Sequence, residues 1–191
     1  MSVLLLVKHS IPEIDPSIPA RDWRLSSEGK RRCVWLAREL AKFKPEFLCS
    51  SIERKARETA EAVGTHLGLA SQCCDGLHEN DRTDFPYIDD PAELEERFRA
   101  FFENPWRRLI GRETANDALA RFNRALSDIV ATRPSETICV VAHGTVISLF
   151  IARYNAVPAF EVWDSLSPLP AYIAVRLPGY ECAGPAKAFA A

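Results

Sequence analysis

Short apolar runs alternate with longer amphipathic segments along the chain. The two most continuous runs, residues 3–7 and 137–142, have the length and composition of strands buried on both faces of a parallel sheet. The first ends in Lys8-His9-Ser10 and the second in His143-Gly144. Ligands of open α/β sheets bind just beyond the carboxyl ends of the strands. We therefore expect His9 and His143 to meet at one sheet edge, around an anion.

The remaining pattern predicts helices between strands. A helix opens at Ser26, a natural N-cap, and Pro45 ends it. Further helices are expected from about residue 51 to Leu67-Gly68, over 92–102, after residues 111–114 and over 146–154, and further strands over 47–50, within 69–77 and over 171–177. This alternation predicts an α/β fold: a three-layer sandwich with a mostly parallel central sheet and helices on both faces, forming one domain over residues 1–191.

Four stretches fit neither pattern. We expect residues 11–24, which carry three prolines, to run over the mouth of the site, and residues 81–110, rich in aromatic side chains, to form a cap-like insertion above it. Residues 158–170 are expected to be an irregular loop, and the tail from residue 179 to be loosely held.

Composition narrows the class of protein. The chain has 191 residues and a net charge of −2, so nothing points to a nucleic-acid or membrane partner. The six cysteines show no C-x-x-C spacing, and the apolar start before Lys8 is too short for a signal peptide or a bilayer span. We expect reduced core cysteines in a cytoplasmic protein.

The start of the second helix concentrates positive charge. Arg54, Lys55 and Arg57 lie there, although cations at a helix N-terminus oppose the helix dipole. An anion bound to the free N–H groups would explain them, since helix starts favour phosphate. A solvated basic patch is the alternative, and this feature alone does not decide between them.

Five short motifs, in order from residue 3 to about 154, resemble those of the histidine phosphatase superfamily, the phosphoglycerate mutase-like fold. The family's Arg-His-Gly reads Lys8-His9-Ser10 here, and its S-S-x-x-x-R-A-x-x-T-A reads Ser50 to Ala60, with Lys55 at the arginine position. The acidic motif reads Leu77-His78-Glu79, the Gly-x-Glu-Ser helix start reads Gly111 to Thr114, and the final His-Gly reads His143-Gly144. Both arginines that clamp the phosphoryl group are therefore lysines in this chain.

The resemblance implies roles for these residues. His9 would be the nucleophile that forms a phosphohistidine, and Glu79 the general acid and base, which calls for a raised pKa. His143 would stabilise the transferred group. The phosphate-binding candidates are Lys8, Ser10, Arg54, Lys55, Arg57 and Gly144. We interpret Arg121 as a salt-bridge residue, and the resemblance implies no metal and no organic cofactor.

The predicted function is a phosphomonoesterase that acts on a small phosphorylated metabolite through a phosphohistidine. Three alternatives stay open: a phosphate- or phosphoprotein-binding member of the fold with little catalysis, a mutase-type phosphotransferase, and a metal site built from His9, His143 and Glu79. The substrate and the oligomeric state, with a homodimer as one option, are not readable from the sequence.

Overall fold

The computed structural model describes residues 2–190, which fold around one seven-stranded sheet. The strands are β1 (Val3–Lys8), β2 (Phe47–Ser50), β3 (Ser71–Cys73), β4 (Ile138–Ala142), β5 (Ala171–Arg176), β6 (Glu181–Cys182) and β7 (Lys187–Ala188). The helices are α1 (Ser27–Ala41), α2 (Arg54–Leu67), α3 (Pro91–Glu103), α4 (Ala115–Ala131), α5 (Gly144–Asn155) and α6 (Ala159–Ser165), with a 3-10 turn at Ala20–Asp22.

The strand order is β3-β2-β4-β1-β5-β6, and β7 also pairs with β5. The strands β3, β2, β4 and β1 are parallel to their neighbours, whereas β5 runs antiparallel to β1. Lys8 lies opposite Ala142 at the ends of β1 and β4. This register places His9 and His143 side by side, because each follows its strand directly.

Alternate residues of each strand face opposite layers, as the period of a strand requires. In β1, Leu4 and Leu6 pack with α4 and α5, while Leu5 and Val7 pack with α1 and α2. Helices therefore cover both faces of the sheet, and the predicted α/β three-layer sandwich is confirmed.

The helix boundaries follow the predicted signals. The Ser26 hydroxyl accepts a hydrogen bond from the Gly29 N–H at the start of α1, and Gly68 ends α2 in the left-handed conformation. All six cysteines are free thiols, and Cys49 and Cys139 are buried in the sheet.

Two predictions about the C-terminal part are wrong. Residues 158–170 are not a loop throughout, since α6 occupies Ala159–Ser165 and buries Val162 in the core. The tail is not loosely held, because β6 and β7 both pair with β5. Phe189 also packs edge-on against Trp35, with 5.5 Å between ring centroids.

The loop over residues 11–24 and the segment after Glu79 form two facing walls. A bridge between Pro12 and Leu25 closes the base of the first wall. Trp23 and Tyr87 meet across the gap, with ring centroids 6.2 Å apart. The helix α3 anchors the second wall, since its Phe98 and Phe101 are buried in the core.

No helix within residues 2–190 combines the length and the apolarity that crossing a membrane would require.

Candidate active site

His9 lies at the bottom of a cavity of about 1480 Å³ that opens between the two walls. Its ring Nδ1 is 2.8 Å from the Ser10 carbonyl oxygen, which only accepts hydrogen bonds, so Nδ1 carries the proton. Burial and the positive charge of Lys55 hold the His9 pKa well below its usual value. The ring is therefore neutral, and its Nε2 is an unprotonated nitrogen.

His143 stands beside His9, with ring centroids 5.3 Å apart in an edge-to-face arrangement. Its Nε2 shares a 2.8 Å hydrogen bond with the Ser51 hydroxyl. Within residues 2–190, its buried Nδ1 has no hydrogen-bond partner. Burial, followed by the charge of Lys55, also depresses the pKa of His143. An unpaired buried polar atom is costly, and a bound oxygen atom would satisfy it.

Glu79 faces the same place from the other wall. One carboxylate oxygen lies 3.0 Å from the Arg82 guanidinium, and the carboxylate accepts hydrogen bonds from the N–H groups of Thr145 and Val146 at the start of α5. Burial pushes the pKa of Glu79 upward, but the Arg82 charge and the Thr145 N–H outweigh it and the net shift is downward. The prediction of a raised pKa for Glu79 is therefore wrong for this arrangement.

Arg121 fixes the segment that carries Glu79. Its guanidinium pairs with Glu113 at 2.7 Å, and it donates to the backbone carbonyls of Gly76, His78 and Glu79. The interpretation of Arg121 as a salt-bridge residue is confirmed, and the pair also holds the acidic motif in position.

Lys55 reaches the cavity, but its charge is already engaged. The ammonium pairs with Glu53 and donates to the Ala20 carbonyl at 2.8 Å. The other oxygen of Glu53 accepts the Glu79 N–H at 2.8 Å and lies 3.7 Å from Nε2 of His143. Burial opposes the charged form of Glu53, but Lys55 reverses this and keeps the pKa of Glu53 below its usual value. A carboxylate therefore stands inside the expected anion site.

Lys8 points away from the cavity. Its ammonium donates to the Leu166 carbonyl at 3.1 Å and lies 5.6 Å from the centre of the Trp163 ring. Burial lowers the pKa of Lys8 to about 8. Gly144 leaves room for this side chain, since a Cβ there would lie 3.0 Å from Cε of Lys8. Neither residue lines the cavity, and their predicted phosphate contacts stay predictions.

Ser10 is bound by other parts of the protein, and its predicted phosphate contact stays a prediction. Its side chain is fully buried, and its hydroxyl donates to the Gly29 carbonyl at 2.8 Å, while its N–H donates to Thr59. The hydroxyl ties the segment that follows β1 to α1. Arg54 and Arg57 do line the cavity, and Arg54 pairs with Glu58 at 2.8 Å. Their predicted phosphate contacts stay predictions.

Sequence reasoning missed three site residues: Ser51, Glu53 and Arg82. Arg82 donates from one nitrogen to both Glu79 and Thr145 at 3.0 Å, and its guanidinium stacks 4.7 Å above the Phe98 ring. An acidic residue beside three cations was a usable signal for Glu53. The contacts of Arg82 and Ser51 join distant parts of the chain, so no local sequence pattern predicts them.

The geometry also bears on the alternative hypothesis of a metal site built from His9, His143 and Glu79. Across residues 2–190, no three or more His, Cys, Asp or Glu side chains converge as a ligand set, and the Arg82 charge lies directly on Glu79. The arrangement instead joins two neutral imidazoles, a carboxylate and several cations at the carboxyl ends of parallel strands.

Fold and site together define the class: an α/β protein with two neutral histidines, flanked by the carboxylates of Glu53 and Glu79, at the carboxyl edge of its sheet. The family model of the histidine phosphatase superfamily (branch 1) matches residues 13–180. The chain belongs to this superfamily. The matched range contains Glu79 and His143 but begins after His9. A comparison with curated protein sequences found no match.

Solved structures of phosphatases share the fold. The mycobacterial glucosyl-3-phosphoglycerate phosphatase has 22% sequence identity and a TM-score of 0.70, over 92% of this chain and 91% of that one. A mutant phosphoserine phosphatase from Entamoeba histolytica, in complex with phosphoserine, has 14% identity and a TM-score of 0.73, over 96% and 94%. A putative alpha-ribazole-5'-P phosphatase from Escherichia coli has 20% identity and a TM-score of 0.68, over 95% and 93%.

Proposed function

We propose that this chain is a phosphomonoesterase that hydrolyses a small phosphorylated metabolite through a phosphohistidine on His9. The observation that carries the proposal is the state of His9: neutral, with its proton on Nδ1 and its Nε2 left as a nucleophile in the cavity. Membership of the superfamily and its phosphatase neighbours support the same class of reaction.

In the first step, Nε2 of His9 attacks phosphorus. The P–N bond forms, the bond from phosphorus to the ester oxygen breaks, and the leaving oxygen takes a proton from the Glu79 carboxyl. In the second step, Glu79 removes a proton from water, whose oxygen attacks phosphorus. The P–N bond breaks, inorganic phosphate leaves, and His9 returns to its neutral form.

Glu79 must be protonated for the first step, although the Arg82 charge holds its pKa below the usual value. A phosphate dianion bound beside it would oppose the carboxylate charge and compete for the Arg82 guanidinium. Both changes raise the pKa of Glu79. Binding of the substrate would thus favour the protonated form of Glu79 that the first step requires.

Charge on the transferred group needs donors in the cavity. The Lys55 ammonium and the Arg82 guanidinium line the cavity, and we assign the same role to the buried, unpaired Nδ1 of His143 beside His9. Arg82 provides the planar fork that lysine lacks. We assign to Arg82 the phosphate-binding role that Lys8, turned toward Leu166, does not fill.

The test is phosphate release from an aryl phosphate without added metal and with a chelator present. The natural protein should turn the ester over, and His9→Ala should abolish release. His66→Ala is the matched control, because His66 is exposed on α2, and it should retain full activity. Equal activity of His9→Ala and the natural protein would refute the proposal.

A phosphate-binding module with little catalysis is the second candidate. The engagement of Lys55 by Glu53 favours it, because that pair must open before the ammonium can meet phosphate. This candidate predicts that phosphate protects the folded chain against heat although no ester in a panel is hydrolysed. A third possibility is phosphoryl transfer to a second substrate, and a released phosphate yield equal to the alcohol yield would exclude it.

A further inference from the structure

Exposed large apolar side chains are concentrated at the mouth of the cavity. Seven large apolar side chains within residues 2–190 are notably exposed, and four of them line this cavity: Ile14, Ile18, Ile52 and Tyr87. Their exposed fractions are 53%, 40%, 49% and 45%. Scattered exposed apolar residues need no explanation, whereas a cluster at one mouth indicates a ligand contact.

These side chains come from separate parts of the chain. Ile14 and Ile18 lie in the first wall, Tyr87 lies in the second, and Ile52 is on the turn between β2 and α2. Ile52 sits between Ser51, which bonds His143, and Glu53, which bonds the Glu79 backbone. The four apolar side chains therefore line the same cavity as His9, and Ile52 is adjacent in sequence to two residues that contact the site.

The cavity is also larger than a phosphoryl group requires. Its volume of about 1480 Å³ exceeds the ~300–1,000 Å³ of ordinary ligand pockets. The space beyond His9 must accommodate the leaving group. The Trp23–Tyr87 contact ties the two walls across this space and keeps their apolar side chains facing one another.

Four of the charged groups at the same mouth are paired with one another, whereas Arg57 and Glu61 have no ion pair among residues 2–190. Arg54 pairs with Glu58 at 2.8 Å, and Arg21 lies 3.8 Å from Asp22. A polar leaving group that bound these four side chains would have to displace their pairs to gain hydrogen bonds. An apolar one needs only to cover the exposed isoleucine and tyrosine surface, which releases water from both partners.

We propose that the substrate is a phosphate monoester with an extended apolar or aromatic leaving group, which lies on the surface formed by Ile14, Ile18, Ile52 and Tyr87. This inference rests on the proposed function. It adds that the walls select the alcohol part of the ester by hydrophobic contact and not by sugar-type hydrogen bonds.

The test compares ethyl, butyl, hexyl and octyl phosphate with glycerol 1-phosphate, all below the concentrations at which they aggregate. For the full-length natural protein, kcat/KM should rise about threefold to fourfold per added methylene until the apolar surface is covered, which corresponds to ~0.8 kcal/mol per methylene. Glycerol 1-phosphate should be no better a substrate than ethyl phosphate.

Substitutions of the cavity-lining isoleucines test whether these residues cause the dependence of kcat/KM on alkyl chain length. Ile14→Ser and Ile52→Ser should each lower the octyl-to-ethyl ratio of kcat/KM at least threefold, and together about tenfold. Val157→Ser is the matched control, because Val157 is a 39% exposed β-branched residue outside the cavity lining, and its ratio should not change. A flat alkyl series, or a ratio that survives both cavity substitutions, would overturn the inference while leaving the phosphatase proposal intact.

Absence of any turnover would overturn the phosphatase proposal instead. The subsite is then tested by binding, with calorimetry of octyl and ethyl phosphate on the same protein. Tighter binding of octyl phosphate that Ile52→Ser removes would keep the apolar subsite. Equal binding of the two esters would refute it.

Discussion

In the proposed mechanism, the protonation state of Glu79 decides whether a leaving group can depart. Its neighbours pull in opposite directions, since burial favours the neutral acid and Arg82 favours the carboxylate. The same arginine bridges to Thr145 at the start of α5. Arg82 therefore couples charge stabilisation to the acidity of Glu79, and its substitution should change rate and pH profile together.

Replacing Arg82 with alanine should lower kcat/KM about ten- to a hundredfold, the value of one lost charge-assisted hydrogen bond. It should also raise the pKa of Glu79, so the basic limb of the kcat/KM profile moves to higher pH. Arg97→Ala, an exposed arginine paired with Glu93 on α3, is the control and should change neither quantity. A lower rate with an unmoved basic limb would show that Arg82 does not act on Glu79.

Lys8 gives a prediction about stability. Its pKa is about 8 in the folded protein because burial penalises the ammonium, and about 10.5 when unfolded. Between these values the unfolded chain binds the extra proton, so the contribution of Lys8 to stability rises as pH increases from 8 to 10.5. The total gain is about 3 kcal/mol at most.

Denaturant unfolding of the natural protein and of Lys8→Met across this pH range measures the effect. The difference in the free energy of unfolding, natural minus variant, should increase with pH. A difference that falls with pH would mean that Lys8 is stabilised as an ammonium in the fold.

At the scale of elements, the start of α1 controls the first wall of the cavity. Gly29 lies in the first turn of the helix, and a Cβ there would stand 2.2 Å from the Ile11 carbonyl oxygen. The Ile11 carbonyl also accepts the Ser26 N–H at 3.0 Å. The wall is thus clamped to the helix by backbone contacts that only glycine permits.

Gly29→Ala should destabilise the protein, although alanine is the better helix former by about 1 kcal/mol. The clash is with backbone, which cannot rotate aside, and overpacking of this kind costs about 1–3 kcal/mol. Thermal unfolding would show a lower Tm, while Gly184→Ala, where a Cβ meets nothing within 4 Å, should be neutral. A Tm equal to or above that of the natural protein would show that the backbone at Ile11 can shift to accommodate the added Cβ.

The alternation of strands and helices was readable from the sequence because burial on both faces leaves uninterrupted apolar runs such as β1 and β4. The helix α6 was missed because Pro158, Pro168 and Pro170 surround a helix of 7 residues, too short for a clear period. The two histidines and Glu79 could be singled out as candidates because they follow strands or match motifs, and the structure brings them together. The direction of the Lys8 side chain is set by Gly144, Trp163 and Leu166, which only the folded chain brings together.

For the whole molecule, the C-terminal segment closes the sheet. The Phe189 N–H donates to the Pro170 carbonyl at 2.9 Å, and the Arg32 guanidinium stacks 4.1 Å from the Phe189 ring. Together with Trp35, these contacts tie the end of the chain to α1. The end of the chain is thereby part of the folded domain.

Phe189→Ala should therefore lower the free energy of unfolding by about 1–3 kcal/mol, below the ~3–5 kcal/mol of a fully buried phenylalanine because Phe189 is only partly buried. Lys187→Ala, an exposed neighbour on β7, should change it by less than about 0.5 kcal/mol. Chemical denaturation compares the two variants, and equal stabilities would restore the interpretation of a loosely held tail.

The central claim is that the sheet edge assembles a nucleophilic histidine. The most direct measurement is to quench the natural protein during turnover of an aryl phosphate and analyse its peptides by mass spectrometry under alkaline conditions. We expect one added phosphoryl group on His9, and brief acid treatment should remove it. Active turnover with no phosphoryl group on His9, or with the group on another residue, would contradict the account.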